Sequence, residues 1–247
     1  MSRPFTDNDN IIILLTGTVN TYNKDFTLLN DAGQRRNDYI NTIRHYLENY
    51  NYPIVFVENS DEDLSAFFID AINDKRLEML RFSGNDYAPE FGKGLGEMRC
   101  IEFAINNSSF IRETSFVFKI TGRYKISNAG DFINFYRKHP DAELIADLTN
   151  NFTNSQSCIF GFRPFFAKTF LFKYASILND SKRIYFEHAL AKAVLSAISE
   201  NIVFYIFRYY PRLYAVSGTT GKPYKKSFIY FFPRMLKYFI RYFIVIR

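Results

Sequence analysis

Tryptophan is absent from this chain of 247 residues, which has only two cysteines and three histidines. Cys100 and Cys158 fall in segments patterned as a helix and a strand, so a disulfide framework is not indicated and reduced thiols are expected. His45, His139 and His188 lie far apart and share no ligand spacing with the cysteines, which argues against a zinc site. No apolar run reaches the roughly 18 uncharged residues that a membrane span requires. The opening MSRPFTDNDN is polar and lacks the apolar centre of a signal peptide, so a cytoplasmic protein is expected. There is no G-x-S-x-G elbow, and neither cysteine stands in a motif that would make it a nucleophile.

Aromatics are abundant instead. With 28 Phe and 18 Tyr in a chain that is 47% hydrophobic, disorder is excluded on composition. The length suits one large domain, alone or with a small appendage. A net charge of +6 favours anionic partners: phosphate groups, nucleic acid or an acidic membrane surface. Nucleic acid is the less expected of these, because no RNA-binding signature interleaves the rings with the cations.

Strand and helix patterns alternate along the chain. Ile11 to Leu15 is a β-branched apolar run closed by Thr16 and Gly17, the pattern of a strand buried on both faces. A helix is expected over Asp38 to Tyr50, a strand over Ile54 to Val57, a helix around Asp63 to Ile72 and a strand near Leu77 to Phe82. Then come a helix over Gly96 to Asn106, a strand over Phe116 to Ile120, a helix over Asn128 to Lys138, and strands over Ala142 to Leu148 and Cys158 to Phe162. An aromatic segment, Phe165 to Leu178, precedes a helix from Tyr185 to about Phe207. This alternation predicts an α/β sandwich around a mostly parallel sheet, with its site at the carboxyl ends of the strands.

Three stretches sit where such a sheet places chemistry. Thr16-Gly17-Thr18 and Glu58-Asn59-Ser60 follow the first two strands, where backbone approaches a nucleotide and an acidic or amide residue meets base or ribose; each also reads as a turn or a helix cap. In GKGLGE, Gly92, Gly94 and Gly96 permit close backbone approach, and Lys93 adds a cation before a helix N-terminus, a combination that can hold phosphate. Glu97, in the first helical turn, serves the site or complements the dipole. The stretch is neither a Walker loop nor a dinucleotide fingerprint. The strand FVFKI runs straight into Thr121, Gly122, Arg123, Tyr124 and Lys125, with Lys119 inside it.

The order TGTVN, FVENS, GKGLGE and FVFKITGRY, over roughly residues 11 to 220, resembles bacterial glycosyltransferases of surface-polysaccharide (capsule or O-antigen) gene clusters with a GT-A-like nucleotide-sugar domain. That resemblance implies a nucleotide-sugar donor and a lipid-linked or oligosaccharide acceptor. In the GT-A class the central strand ends in Asp-x-Asp, which holds a divalent metal on the donor diphosphate. Here the matching place reads Lys119-Ile120-Thr121-Gly122-Arg123-Tyr124, so no metal ligands are expected, and Lys119 and Arg123 would neutralise the leaving diphosphate directly. In the other reading one of these cations pairs with a carboxylate such as Glu97 and shapes the loop.

The resemblance also implies a carboxylate base at the start of a helix after the acceptor-side strand. Glu187 takes that place, His188 stands where a second acid is usual and either orients the base, contacts the diphosphate or serves a purely structural role, and Asp180 is in reserve. Arg163, with Pro164 and the phenylalanines after it, either lines an acceptor site or marks rings packed in the core, the commoner use of phenylalanine. Ser217 to Lys222 forms a lid over the donor or a plain linker. The missing Asp-x-Asp also leaves open the alternative of a non-catalytic glycan- or partner-binding relative.

The tail changes composition. A catalytic domain over 1–221 is expected, followed by a basic aromatic segment over 222–247. Arg234, Lys237 and Arg241 are spaced i, i+3 and i+7, so they share one helical face among many rings. The pattern fits a helix in an anionic membrane interface, placing the protein peripherally at the inner face of the cell membrane, or a helix packed on the protein's own core.

Overall fold

A computed structural model describes residues 10–21, 31–214 and 228–245. In chain order its elements are β1 (Ile11–Gly17), α1 (Ala32–Asn49), β2 (Ile54–Glu58), α2 (Ile69–Asn73), β3 (Leu77–Arg81), α3 (Gly92–Asn107), β4 (Phe116–Thr121), β5 (Lys125–Ile126), α4 (Ala129–Lys138), β6 (Leu144–Ala146), β7 (Ile159–Phe162), α5 (Pro164–Phe166), α6 (Phe186–Ser199), β8 (Phe204–Ile206), β9 (Leu213–Tyr214) and α7 (Phe228–Val245).

Seven strands form one sheet in the order β3-β2-β1-β4-β7-β6-β8. Every pairing is parallel except those of β7, which runs against both β4 and β6. The α/β sandwich with a mostly parallel sheet is therefore as the alternating pattern predicts. β1 lies inside it between β2 and β4 with all seven residues buried, as a strand flanked by neighbours and covered by helices must be. Its register, Thr16 beside Val57 and Thr121, brings the ends of β1, β2 and β4 level at one edge of the sheet. Because β7 is reversed, it is the start of that strand, next to Ser157 and Cys158, that reaches the same edge: Thr121 N donates to Cys158 O at 3.1 Å.

The elements depart from the sequence pattern where short-range chemistry overrides periodicity. α1 begins at Ala32 rather than Asp38, because Asp31 caps it by accepting from Gln34 N; its first turn is polar, which hid it. The expected helix over Asp63 to Ile72 breaks into a 3-10 turn at Ser65–Phe67 and the short α2. α3 starts at Gly92, so GKG is the first helical turn and not a loop, and Glu97 stands in the second turn. α6 ends at Ser199 instead of running to about Phe207: Asn201 takes a left-handed φ of 61°, and the aromatic run beyond it becomes β8, parallel to β6. The β5–β9 ribbon joins segments far apart in sequence and had no local signal.

α7 folds back onto the body. Phe231, Tyr238 and Tyr242 are buried, and Asp147, itself 0% exposed, accepts from Tyr238 Oη and pairs with Arg241. Arg241 Nη1 also donates to Leu148 O at 3.1 Å. No helix among the described residues is long and apolar enough to cross a membrane.

Candidate functional site

The level edge of the sheet opens into a cavity of about 230 Å³. Its walls come from the turns after β1 and β4, the first turns of α1 and α3, and the chain leading into α6.

The turn after β1 is held by groups that do not themselves reach the cavity. Buried Glu58 accepts from Val19 N at 2.8 Å, Ser60 N at 2.9 Å and Glu62 N at 2.8 Å. Asn59 accepts from Thr18 Oγ1 at 2.7 Å and donates to Gly96 O at 3.3 Å, tying the turn to α3, while Ser60 Oγ accepts from Asn20 N at 2.9 Å. Glu58, Asn59 and Ser60 thus hold the turn after β1 from behind, whereas Thr16, Gly17 and Thr18 line the cavity. Burial raises the Glu58 carboxyl above its ordinary value, and the hydrogen bonds from Ser60 and the backbone oppose that rise.

Arg35 was not marked by any motif, yet it lines the cavity at 5% exposure. Its Nε donates to Thr18 O at 2.7 Å, and Tyr39 Oη accepts from Thr18 N at 2.8 Å, so the first two turns of α1 clamp the loop. Only the cap at Asp31, which starts the helix early, places Arg35 on that face. Burial lowers the Arg35 pKa, and the nearby Arg123 guanidinium lowers it further while Tyr39 opposes both. Arg123 is 8% exposed on its side chain; its ion pair with Asp38 spans 3.9 Å, and its buried Nη1 has no hydrogen-bond partner among the described residues. Two guanidinium groups in one wall make an anion-attracting surface, and one of them has donor capacity unused.

Lys119 is elsewhere. It is wholly buried in β4, where its ammonium pairs with Glu97 and donates to Ser157 O at 2.8 Å and Thr121 Oγ1 at 3.2 Å. Of the two readings for this lysine, the structure shows the ion pair with Glu97, and Lys119 does not line the cavity. Lys93 does, in the first turn of α3.

The glycines of α3 serve approach by protein. Gly92 has φ +58°, and a Cβ there would fall 2.1 Å from Asp180 Oδ2; at Gly94 it would lie 3.1 Å from Phe186 N, and at Gly96 2.5 Å from Tyr87 Oη. Their absent side chains let Asp180 and the start of α6 close against α3. Gly94 lines the cavity; Gly96 lies behind it. Gly122 is likewise off the lining, its Cβ position 2.6 Å from Thr16 O, so it lets β4's turn pass over β1.

The chain leading into α6 adds carboxylates to the lining. Glu187, second residue of α6, accepts from Ser157 Oγ at 2.6 Å, and its main-chain oxygen accepts from Ser155 N at 3.1 Å. Asp180 accepts from Lys93 N at 3.2 Å through Oδ2, while its buried Oδ1 has no partner among the described residues. Burial pushes the Asp180 carboxyl up to about 6, Lys93 pulls against this, and Glu187 and Glu97 add to the rise. His188 points away: its Nδ1 accepts from Tyr185 N at 3.0 Å, so it caps α6 and does not line the cavity. Arg163 is also remote, donating to Thr114 O at 2.9 Å and Pro140 O at 3.0 Å. Cys100 is at the cavity wall with its thiol donating to Gly17 O at 3.6 Å, and burial drives its pKa well above the ordinary value, which disfavours the thiolate.

Of the sequence candidates, Thr16, Gly17, Thr18, Lys93, Gly94, Glu97, Thr121, Arg123, Tyr124, Asp180 and Glu187 meet in the cavity. Ser157, Tyr39 and Tyr87 join them without having been marked. Ser217 to Lys222 lies outside the described residues. Among the described residues no group of three or more His, Cys, Asp or Glu side chains is placed to hold a metal ion.

No family model matches the chain, and no curated protein matches it. Among solved structures it is similar to the glycosyltransferase GlyE of Streptococcus pneumoniae TIGR4 (TM-score 0.46, 9% identity), covering 79% of this chain and 44% of that one. It is also similar to a protein of Desulfovibrio desulfuricans G20 described as a nucleotide-diphospho-sugar transferase (0.44, 9%, 81% and 80%) and to a 4-diphosphocytidyl-2C-methyl-D-erythritol synthase (0.44, 8%, 92% and 96%). These are likenesses in chain path, and none bears on the chemistry of the cavity.

Proposed function

We propose that the chain is a glycosyltransferase that moves a sugar from a nucleotide-sugar donor to a hydroxyl of a lipid-linked or surface-glycan acceptor. What carries this reading is one juxtaposition: the under-bonded guanidinium of Arg123 and the carboxylate of Glu187, distant in sequence, line one cavity. Transfer with inversion needs both ends of that arrangement. Glu187 takes the proton of the attacking hydroxyl while the new glycosidic bond forms at the anomeric carbon and the bond to the diphosphate breaks. Negative charge grows on the departing diphosphate, and Arg123, assisted by Lys93, meets it. Ser157 orients the base by its hydrogen bond to Glu187. Thr16 to Thr18 and the arginine-clamped turn would receive the nucleotide.

We read the reaction as metal-independent, because the place of the family's Asp-x-Asp holds Lys119, Thr121 and Arg123. The test is a thermal-shift screen against nucleotides and nucleotide sugars, followed by a product assay with and without EDTA. Selective stabilisation by nucleotide diphosphates and EDTA-insensitive transfer are expected. Manganese-dependent activity would refute the metal-free mechanism, and binding without any transfer or hydrolysis would indicate the non-catalytic relative. Salt-sensitive oligonucleotide binding with no nucleotide-sugar binding would indicate a nucleic-acid protein.

A further inference from the structure

α7 presents its apolar side to the outside. Phe232, Leu236, Phe239, Ile240, Phe243 and Ile244 are all exposed, from 45% at Phe239 to 71% at Ile244, and with Met235 they recur at spacings of three and four along the helix. The inward face is the one with tyrosines and an arginine: Tyr238 and Arg241 are fastened to buried Asp147, and Tyr242 packs at right angles to Phe135 with ring centroids 5.5 Å apart. This inverts the usual arrangement of a surface helix, which buries its apolar stripe. From Phe232 to Ile244 the stripe is about 18 Å long at helical rise, and the helix is not a spanning one.

Charge decides among the surfaces that could cover it. Residues 222–247 contain Lys222, Lys225, Lys226, Arg234, Lys237, Arg241 and Arg247 and no Asp or Glu. Exposed Lys237 borders the stripe, and the half-buried Arg208 lies 5.5 Å and 5.7 Å above the rings of Phe239 and Phe243 at its margin. A second copy would bring an equal run of cations against these, whereas anionic lipid offers apolar chains to the stripe and head-group charge to its rim. We infer that α7, docked through Asp147, Tyr238 and Arg241, seats the folded protein on an anionic bilayer by its outward stripe. The expected cationic face is thus divided, with Arg241 serving as an internal anchor and the outer rings as the lipid contact. This inference stands on α7 and is independent of the reaction assigned to the cavity.

The absence of tryptophan gives a test without background. Phe239→Trp places a reporter in the stripe and Phe231→Trp one on the buried face of the same helix. With the full chain and vesicles of phosphatidylcholine containing 30% phosphatidylglycerol, the first should shift to the blue and be quenched by brominated acyl chains, and the second should not. Ile240→Glu together with Phe243→Glu, both at exposed positions, should lower vesicle binding at least tenfold with unchanged thermal stability. The proposal is overturned if the Phe239→Trp emission ignores the vesicles, if pure phosphatidylcholine binds as well as the anionic mixture, or if the stripe variants abolish a lipid-free dimer and leave vesicle binding intact. Quenching of the Phe231→Trp reporter would also overturn it, by showing that α7 leaves the body.

Discussion

Glu97 on α3 holds the ammonium of Lys119 on β4, and the lysine has no exposed surface while the carboxylate reaches the cavity. The two ends of this pair are therefore unequal. Removing the lysine leaves a carboxylate that water in the cavity can solvate; removing the carboxylate strands a buried cation with two neutral acceptors. Glu97→Ala is expected to cost about 3 kcal/mol and Lys119→Met less than half of that, read from urea midpoints. Equal losses would contradict the asymmetry.

Arg123 lies at the end of the same strand with the opposite prospect. Arg123→Ala should reduce kcat by about two to three orders of magnitude and abolish stabilisation by nucleotide diphosphate. Arg123→Lys should recover only part, since an ammonium is a point charge without the bidentate fork. A fully active Arg123→Ala enzyme would remove the residue from the mechanism.

Glu187 and Ser157 should separate binding from chemistry. Glu187→Gln keeps the side chain's shape and should still bind donor, yet turn over at least 100-fold slower, within the range of general-base contributions. Ser157→Ala leaves the base in place but unoriented, so a loss of roughly tenfold in kcat with little change in donor KM is expected. An unaltered rate for Glu187→Gln would shift attention to Asp180.

Asp180 provides a pH test that does not need a substrate. Its carboxyl is raised to about 6, first by burial, against an unfolded value near 4. The folded state therefore holds this proton more tightly, and the stability owed to the group falls as pH rises from about 4 to about 6 and is level above. In Asp180→Asn that decline is missing, so the wild type should lose on the order of 2 kcal/mol relative to the variant between pH 4 and pH 7. Parallel denaturation curves across that range would show that Asp180 is not so placed.

The sheet was legible because buried parallel strands announce themselves as β-branched runs, as Ile11 to Leu15 and Ile54 to Val57 do. The site was legible where a residue ends or follows a strand or opens a helix, hence Thr16, Arg123 and Glu187. Arg35 and Ser157 were not, since each enters the cavity through a tertiary event: an early helix cap for one, a reversed strand for the other. Lys119 shows the converse limit. The sequence allows it two uses, a diphosphate contact or a pair with a carboxylate such as Glu97, and only the packing of α3 over β4 decides for the pair, because no spacing along the chain brings those two elements together. The same holds for Arg241, whose face was foreseeable from its spacing and whose partner, Asp147, was not.

Both thiols are shut inside the folded chain, Cys100 against the turn after β1 and Cys158 at the head of β7, where burial pushes its pKa up to about 12. An alkylating reagent can reach either only when the protein breathes. The two labelling rates, resolved by mass spectrometry, thus form a built-in clock with one hand on the cavity wall and one on the reversed strand, and any ligand that closes the cavity should slow the first hand more than the second.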